Sequence, residues 1–506
     1  MKKIIPVILI LLSVLMPLIS CGSGENDNNP LENKPDSNPA DGKIENNSGE
    51  EPAENDIYNM KARENAQDGL PAMDFEGADF TVLQRTEWNY EFFAESENGD
   101  VVNDAVYRRN FAVEDRFNVK IKTIETEGIW GQQDNFVRRV KNTVSAGDDE
   151  YNIISGYAAY MPRLQSSGYV INLNALPYLN FDRTWWSRDL MDNLTINGKL
   201  FFTTGDIALS LWEDILAVYF NKQMIQDYAI ENPYELVRSG KWTIDKLDEI
   251  CRNVYVDVNG DGKITEAADI FGYATDTANL VDNYFNAFGE PSIRKDSDGA
   301  PYLAQNTQKM TDITDKMYEF LWNNRGVYAN PVASAEPENL YKYIFEEGRA
   351  MFLPEHLGNA STLRSMETDF GIIPYPKWNE QQENYITAPV AYFSLIAVPT
   401  TAKNLEMTGL ITEALCVESY KKVIPAFYEI SLKTKYSRDE ESAEMIDIIR
   451  NGVVFDFGAI YCTQLDTTFH LFRMLMSDKK NNWTSQFEKN EQRYNKLLEK
   501  LVETFD

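Results

Sequence analysis

Nine residues in the middle of the chain, Asp257-Val-Asn259-Gly-Asp261-Gly262-Lys263-Ile264-Thr265, alternate side-chain oxygens with spacers. Oxygens stand at places 1, 3 and 5, a glycine at place 6 allows the sharp turn, Lys263 would lend its carbonyl at 7, and Ile264 fills place 8. That is the order of an EF-hand-type loop, which wraps alternate oxygens around one hard cation. Place 12 departs from the pattern: it is Ala268 rather than a bidentate Glu, with Asp269 one residue later. The expected ligands are therefore Asp257, Asn259, Asp261, Lys263 and Asp269, holding a structural Ca²⁺ weakly or with a different closure. The expected role is to stiffen the fold; an acidic hairpin turn would have the same sequence. Other reactive residues are scarce. There are two histidines, His356 and His470, and no G-x-S-x-G or H-E-x-x-H pattern. An enzyme would have to rely on paired carboxylates. Among 79 acidic residues such a pair is not excluded, but no segment looks like a hydrolase, so the expectation is a protein that is not an enzyme.

Cys21 has chemistry of a different kind. Lys2 and Lys3 precede an apolar run from Ile4 to Ile19, and Leu18-Ile19-Ser20 leads into Cys21-Gly22-Ser23-Gly24. A basic start, an apolar stretch and a small residue at the cut form a secretory signal. The run is short for a spanning helix, which wants ~20 residues. With cysteine as the first mature residue, residues 1–20 resemble a bacterial lipoprotein signal, cut so that the Cys21 thiol receives a diacylglyceryl group. Two or three acyl chains, palmitate among them, anchor a soluble domain far more firmly than one. Gly22 in second place leaves inner and outer membranes both open.

Residues 21–72 are rich in Asn, Asp, Glu, Pro, Gly and Ser; from residue 25 they carry 12 acids against 4 bases, a net of −8. Such a stretch cannot bury enough apolar surface to offset chain entropy and should be a disordered acidic linker. Residues 73–506 form the folded module, large enough for two domains. The whole chain has a formal charge of −31, most of it on this part. So acidic a surface argues against nucleic acid and against broad contact with anionic lipid. Cys251, Cys416 and Cys462 have no zinc-type spacing and are expected to be buried thiols, a Cys416–Cys462 bridge being the alternative.

The elements that must position a site begin with Asp79–Leu83, a β-branched strand followed by the polar, aromatic loop Gln84–Tyr90. Helical spacing runs from Val101 to Phe117, strand alternation from Val119 to Ile124, and a second helix over about 133–145 ends at Gly147. The buried-type strand Tyr151–Ile154 follows. Strands alternating with helices imply an α/β fold with helices on both faces of an open sheet. Ligands of such sheets bind beyond the carboxyl ends of the strands, which puts residues 85–90 and 155–160 on one rim.

Six stretches then agree, in order, with one family. Tyr151-Asn-Ile-Ile-Ser-Gly-Tyr157 with Gly168-Tyr-Val-Ile-Asn-Leu173 comes first, then Asn197-Gly-Lys-Leu-Phe-Phe and Leu216-Ala-Val-Tyr-Phe-Asn221-Lys222. Pro233 to Trp242-Thr243, Phe345-Glu-Glu-Gly348-Arg-Ala-Met-Phe352 and Phe370-Gly-Ile-Ile-Pro374-Tyr-Pro376 complete the set. Together they resemble extracellular solute-binding proteins of the maltose/oligosaccharide type, which serve ABC importers. The resemblance covers about residues 75–440. It implies two lobes joined by a hinge around an interlobe ligand cleft: lobe I at about 74–210 and 394–435, lobe II at about 211–393, and C-terminal helices over about 436–506 packed across both. It also implies a monomer that captures a small solute, a sugar or oligosaccharide, and delivers it to ABC permease subunits outside the cytoplasm. By family position Asp214 would contact the ligand, with Trp212 beside it. Trp88, Tyr90, Tyr157 and Tyr392 would supply aromatic faces from strand-end loops. Glu355 or His356 would stand where the family's usual aromatic is missing. A peptide or other small polar ligand, a glycan-active enzyme and a sensor partner are the alternatives, and Asp214 could instead pin the hinge through a backbone hydrogen bond.

Overall fold

The computed structural model describes residues 63–264, 268–330, 339–436 and 439–506. The signal, Cys21, the linker up to residue 62 and residues 265–267 of the acidic loop lie outside the described residues. Among the described residues no helix is long and apolar enough to cross a membrane.

The first sheet is built by short-range βαβ logic. β1 (Ala78–Arg85) pairs in parallel with β2 (Val119–Thr126) on one side and β3 (Ile153–Tyr157) on the other. The helix Val101–Phe117 connects β1 to β2. Asp100 caps its start, accepting from the Val102 and Asn103 amides, and Asn118 ends it in a left-handed conformation at φ 50°. The helix Gln133–Ala146 connects β2 to β3 and stops at Gly147, φ 75°, where glycine is the residue that bears no Cβ penalty. β3 is buried along its whole length and begins two residues later than its sequence pattern suggests, so Tyr157 is its last residue rather than part of a loop.

A second sheet has the order β10-β4-β9-β5-β8, from β4 (Leu216–Asn221), β5 (Phe271–Asp276), β8 (Val327–Asn330), β9 (Ala350–His356) and β10 (Phe370–Ile373). β4 runs antiparallel to β9 and β10, while β5 is parallel to β8 and β9. A small hairpin, β6 (Ile293–Lys295) and β7 (Pro301–Leu303), lies outside both sheets. The chain then returns to the first sheet, where β11 (Ser394–Ala397) adds antiparallel to β3. Two sheets, with a returning strand in the first, make the two lobes. The helix Leu405–Glu418 packs on Val101–Phe117 in the first lobe. Its Glu413 is buried and accepts from the indole N–H groups of Trp185 (2.9 Å) and Trp186 (2.8 Å).

The C-terminal helices touch both lobes. Leu471–Ser477 packs on the second-lobe helix Asn279–Ala287, while Gln165 of the first lobe donates to the Thr504 carbonyl at 2.9 Å. Hydrogen bonds fix the segments at the crossings between the sheets. Ser210 N–H donates to Glu91 at 2.7 Å, Thr387 Oγ1 donates to the Leu216 carbonyl at 3.0 Å, and Val454 N–H donates to the Thr387 carbonyl at 2.9 Å.

One expectation needs correction, and one alternative falls away. The disordered linker does not extend to residue 72. Arg63 is buried against the Tyr420 ring, donates to the Tyr420 carbonyl at 2.9 Å and faces Asp206 at 3.7 Å, and Asp68 pairs with Arg116. Charged residues that looked like solvated spacer are in fact partners of first-lobe groups. Cys251, Cys416 and Cys462 are all buried thiols, so the Cys416–Cys462 bridge is not formed.

Candidate ligand-binding site

A cavity of about 370 Å³ lies between the sheets. Its first-lobe wall is aromatic. Tyr157, at the carboxyl end of β3, stacks on Tyr160 with ring centres 5.5 Å apart, lies 5.4 Å from Tyr392 and 6.1 Å from Trp130. The Arg85 guanidinium, behind this wall, sits 5.3 Å over the Tyr157 ring and 4.3 Å over Trp88, and donates to Ser394 Oγ at 2.9 Å. Trp130 is half exposed, as a residue at the mouth of a cleft would be.

The opposite wall is polar and comes from the helix Asn279–Ala287, which follows β5, and from the C-terminal segment. Asn279, Asp282, Asn283 and Asn286 line it together with His470 and Arg473. Asn283 is held in place: its Oδ1 accepts from the Ala388 amide at 2.8 Å, and its Nδ2 donates to Thr387 at 3.3 Å. Arg473 donates from Nε to Asp282 Oδ2, and its Nη2 meets the same oxygen. Burial pushes the Asp282 carboxyl up to about 7 in spite of that guanidinium, with Asp276 and Asp456 adding to the rise. Burial, with Arg473 nearby, lowers His470 to about 3, so its ring is neutral.

Of the residues expected from sequence, the structure brings Tyr157 and Tyr392 to the cavity and places six others behind or beside it. Asp214 is buried at the first crossing. Its Oδ2 accepts from the Tyr392 amide at 3.1 Å and its Oδ1 meets His356 Nδ1 at 3.0 Å, so both carboxylate oxygens are engaged within the protein. His356 is used in that pair and stacks on Tyr392 at 5.7 Å. Burial works against a charged imidazole here, but the Asp214 carboxylate outweighs it and holds His356 up at about 9. Glu355 accepts from the His356 amide (2.9 Å) and from Tyr341 (3.4 Å). Trp212 packs edge-on against Tyr428 and under Arg450. Trp88 is covered by Arg85, and the Tyr90 hydroxyl donates to Glu213 at 2.5 Å. Burial first, then Glu91 and Asp214, raise Glu213 to about 8.

Sequence reasoning missed Trp130 and the polar wall. The signal for the wall was present: Asn279-Leu-Val-Asp282-Asn283-Tyr-Phe-Asn286-Ala287 carries four amide or acid side chains on a helix otherwise fit for a core. Arg473 and His470 left no such trace, because only the tertiary fold brings residues about 190 positions apart together.

The acidic loop makes its own turn. Asp257 accepts from the Gly260 (2.7 Å) and Gly262 (2.8 Å) amides, and Asn259 accepts from the Asp261 amide (3.0 Å). Asp261 accepts from the Lys263 amide at 2.8 Å, and the Lys263 carbonyl from Tyr255 at 3.2 Å. Asp269 is buried, accepting from Tyr255 (3.0 Å) and Val258 (3.3 Å). Among the described residues no three His, Cys, Asp or Glu side chains gather as a metal-holding group.

No protein-family model and no curated protein sequence matches the chain. Solved structures do. The cyclic α-maltosyl-1,6-maltose binding protein of Arthrobacter globiformis is 14% identical at a TM-score of 0.54, over 83% of this chain and 99% of that one. A sugar transporter of Rhizobium etli in an open conformation is 13% identical at 0.54, over 85% and 99%. An ABC substrate-binding protein of Listeria monocytogenes in complex with cycloalternan is 12% identical at 0.53, over 83% and 98%. At these identities the likeness establishes the fold: the two-lobed α/β binding-protein fold that the motifs resembled.

Proposed function

We propose that the chain is an extracytoplasmic solute-binding protein that captures a sugar or oligosaccharide between its lobes and hands it to an ABC importer. The single observation that carries this reading is the cavity between the two sheets, with Trp130, Tyr157 and Tyr392 on one wall and Asn279, Asp282, Asn283 and Asn286 on the other. Flat rings suit the C–H faces of a sugar, and amide and carboxyl groups suit its hydroxyls. The similar proteins support it, since those of Arthrobacter, Rhizobium and Listeria are a cyclic-maltosyl-maltose binder, a sugar transporter and a cycloalternan-bound ABC component. A ligand that touches both walls favours the form in which the lobes are closed, which couples binding to hinge bending. On this reading the protein binds and does not turn its ligand over, acts as a monomer, and is tethered to the cell membrane through lipidated Cys21. The acidic loop, if it takes Ca²⁺, stiffens the second lobe.

The test is a thermal-shift screen of the chain from Ile57 onward against glycans and peptides, because a ligand of the native form alone must raise the melting point. A shift confined to glycans supports the reading. A shift confined to peptides, or hydrolysis of a bound glycan, would overturn it.

A further inference from the structure

The next inference rests on the sugar-binding reading and concerns what holds the exposed ring at the mouth of the cavity. The three parallel strands of the first sheet lie side by side in the order β3, β1, β2, so their carboxyl ends share one rim. Each end bears on Trp130. The loop after β2 carries it, in Gly128-Ile129-Trp130-Gly131. The segment after β1 carries Glu87. Its Oε1 accepts from the Gly128 and Ile129 amides and its Oε2 from the Gly128 amide, each at 3.2 Å. β3 ends at Tyr157, whose ring centre is 6.1 Å from that of Trp130. Little else fixes the Trp130 ring, which is half exposed and lines the cavity. Among the described residues the loop's other hydrogen bonds are local: the Ile129 carbonyl accepts from the Gln132 amide at 2.8 Å, and Gln133 accepts from the Gly131 amide at 2.6 Å. Gly128 is where the loop presses closest on the first lobe. A Cβ there would stand 2.6 Å from the Tyr160 hydroxyl, 2.9 Å from Arg85 Cγ and 3.0 Å from the Phe136 ring, so only glycine lets the backbone lie this near.

We propose that Glu87 and Gly128 are positioning residues that preset Trp130 at the cavity mouth, so that the ring is in place before a sugar arrives. Neither of them lines the cavity. Glu87 brings the loop's only hydrogen bonds from another element among the described residues, and Gly128 lets the loop come within its reach. Both Glu87 oxygens are engaged with the loop, so its effect on a ligand passes through Trp130. A side chain already held in its bound orientation spares part of the ordering cost of association, and that saving is read as affinity.

The experiment has one arm without sugar and one with it, on the full chain carrying Cys21→Ser so that no lipid is attached. Without sugar, two readouts report whether the loop is held. They are hydrogen exchange of the peptide over residues 127–133 and acrylamide quenching of Trp130, taken as the difference from Trp130→Phe. Glu87→Ala should speed that exchange about ten-fold and raise the quenching, with a melting point close to the parent's. Glu87→Gln, which keeps one acceptor oxygen, should fall between the two. Gly128→Ala, whose new Cβ pushes the loop off Tyr160, should raise the quenching by an independent route. Exchange and quenching equal to the parent's in Glu87→Ala and Gly128→Ala would overturn the proposal. In the second arm, calorimetry with maltotriose and cellotriose, the α- and β-linked glucose trimers, closes a double-mutant cycle. Glu87→Ala should weaken binding about five-fold and Trp130→Ala about ten-fold, while the double variant should be no worse than Trp130→Ala alone, since no ring is left to position. A loss of about fifty-fold in the double variant would show Glu87 acting independently of Trp130 and would equally overturn the proposal. If neither trimer binds the parent, the sugar reading is what fails, and the exchange and quenching still decide whether Glu87 holds the ring.

Discussion

The two histidines are opposite cases of one principle, and they bracket the stability of the protein in pH. His356, paired with Asp214 and close to Glu355, is held at about 9, above its ordinary 6.5. A raised folded value means that the pair's contribution is fully present below pH ~6.5 and is lost as pH rises through ~9. His470, buried beside Arg473, is lowered to about 3. Its unfolded form takes a proton below pH ~6.5 while the folded form does not, so its cost grows as pH falls from ~6.5 towards ~3. Melting temperatures across pH 4–10 should therefore lose their alkaline slope in His356→Gln and part of their acid slope in His470→Asn. Unaltered slopes in both variants would mean that neither ring is held as described. Trp130 makes a different residue-scale prediction. It is 53% exposed and touches Tyr157 at 6.1 Å, so Trp130→Ala should leave the unfolding free energy within about 0.5 kcal/mol of the parent. If the ring covers a bound sugar, the same change should weaken calorimetric affinity about ten-fold, or ~1.4 kcal/mol. A large loss of stability with intact affinity would make Trp130 a packing residue.

Elements were legible where the signal was local. Val101–Phe117 and Gln133–Ala146 carry their period and their stop residues, Asn118 and Gly147, in consecutive positions. β4 ends at Asn221, whose side chain caps the next helix by accepting from the Met224 amide at 3.1 Å, as the Asn-Lys signature implied. The stretch Asn197–Asp206 does not form a regular strand; it turns at Asn197, φ 51°, and makes only isolated bridges, Lys199 to Ile196, Thr203 to Ile396 and Gly205 to Trp186. The site was harder to read for the same reason. Tyr157 lies at a strand end that the βαβ pattern locates, and Tyr392 stands just before the returning strand β11. Trp88 and Trp212 are aromatic too, but the structure covers them: Trp88 with Arg85 three residues before it, and Trp212 with Arg450, which is distant in sequence. The acidic loop is where sequence and element still pull apart. Its carboxylates already accept backbone amides, as they would with or without an ion, and residue 266 is not described. If the loop holds Ca²⁺, chelator should lower the melting temperature by a few degrees and Ca²⁺ should restore it. Asp257→Ala and Asp261→Ala should each abolish the response. Indifference of the parent protein to chelator would leave the segment a turn.

At the scale of the whole molecule, the folded unit begins earlier than composition suggests, and this bears on how it hangs from a membrane. The described residues fall within one unit that starts at Ile57. Asp206 is buried beside the Arg63 guanidinium at 3.7 Å, and burial pushes its carboxyl up to about 6 even with Arg63 and Arg450 near. Removing one partner of a buried pair leaves an uncompensated charge, which costs ~3–5 kcal/mol where the pair is well formed; at 3.7 Å the lower end applies. A chain beginning at residue 73 should therefore melt several degrees below one beginning at Ile57, and Arg63→Met in the longer chain should reproduce most of the difference. Sugar affinity should stay unchanged in both, since neither Arg63 nor Asp206 lines the interlobe cavity. The proposed tether is then the stretch between Cys21 and about residue 56, about 35 residues long. Cys21→Ser should release the protein from cell membranes and leave its melting point and sugar affinity untouched, because Cys21 is far in sequence from every residue that lines the cavity. Retention of the variant on membranes in fractionation would show that something other than the acyl chains holds it there.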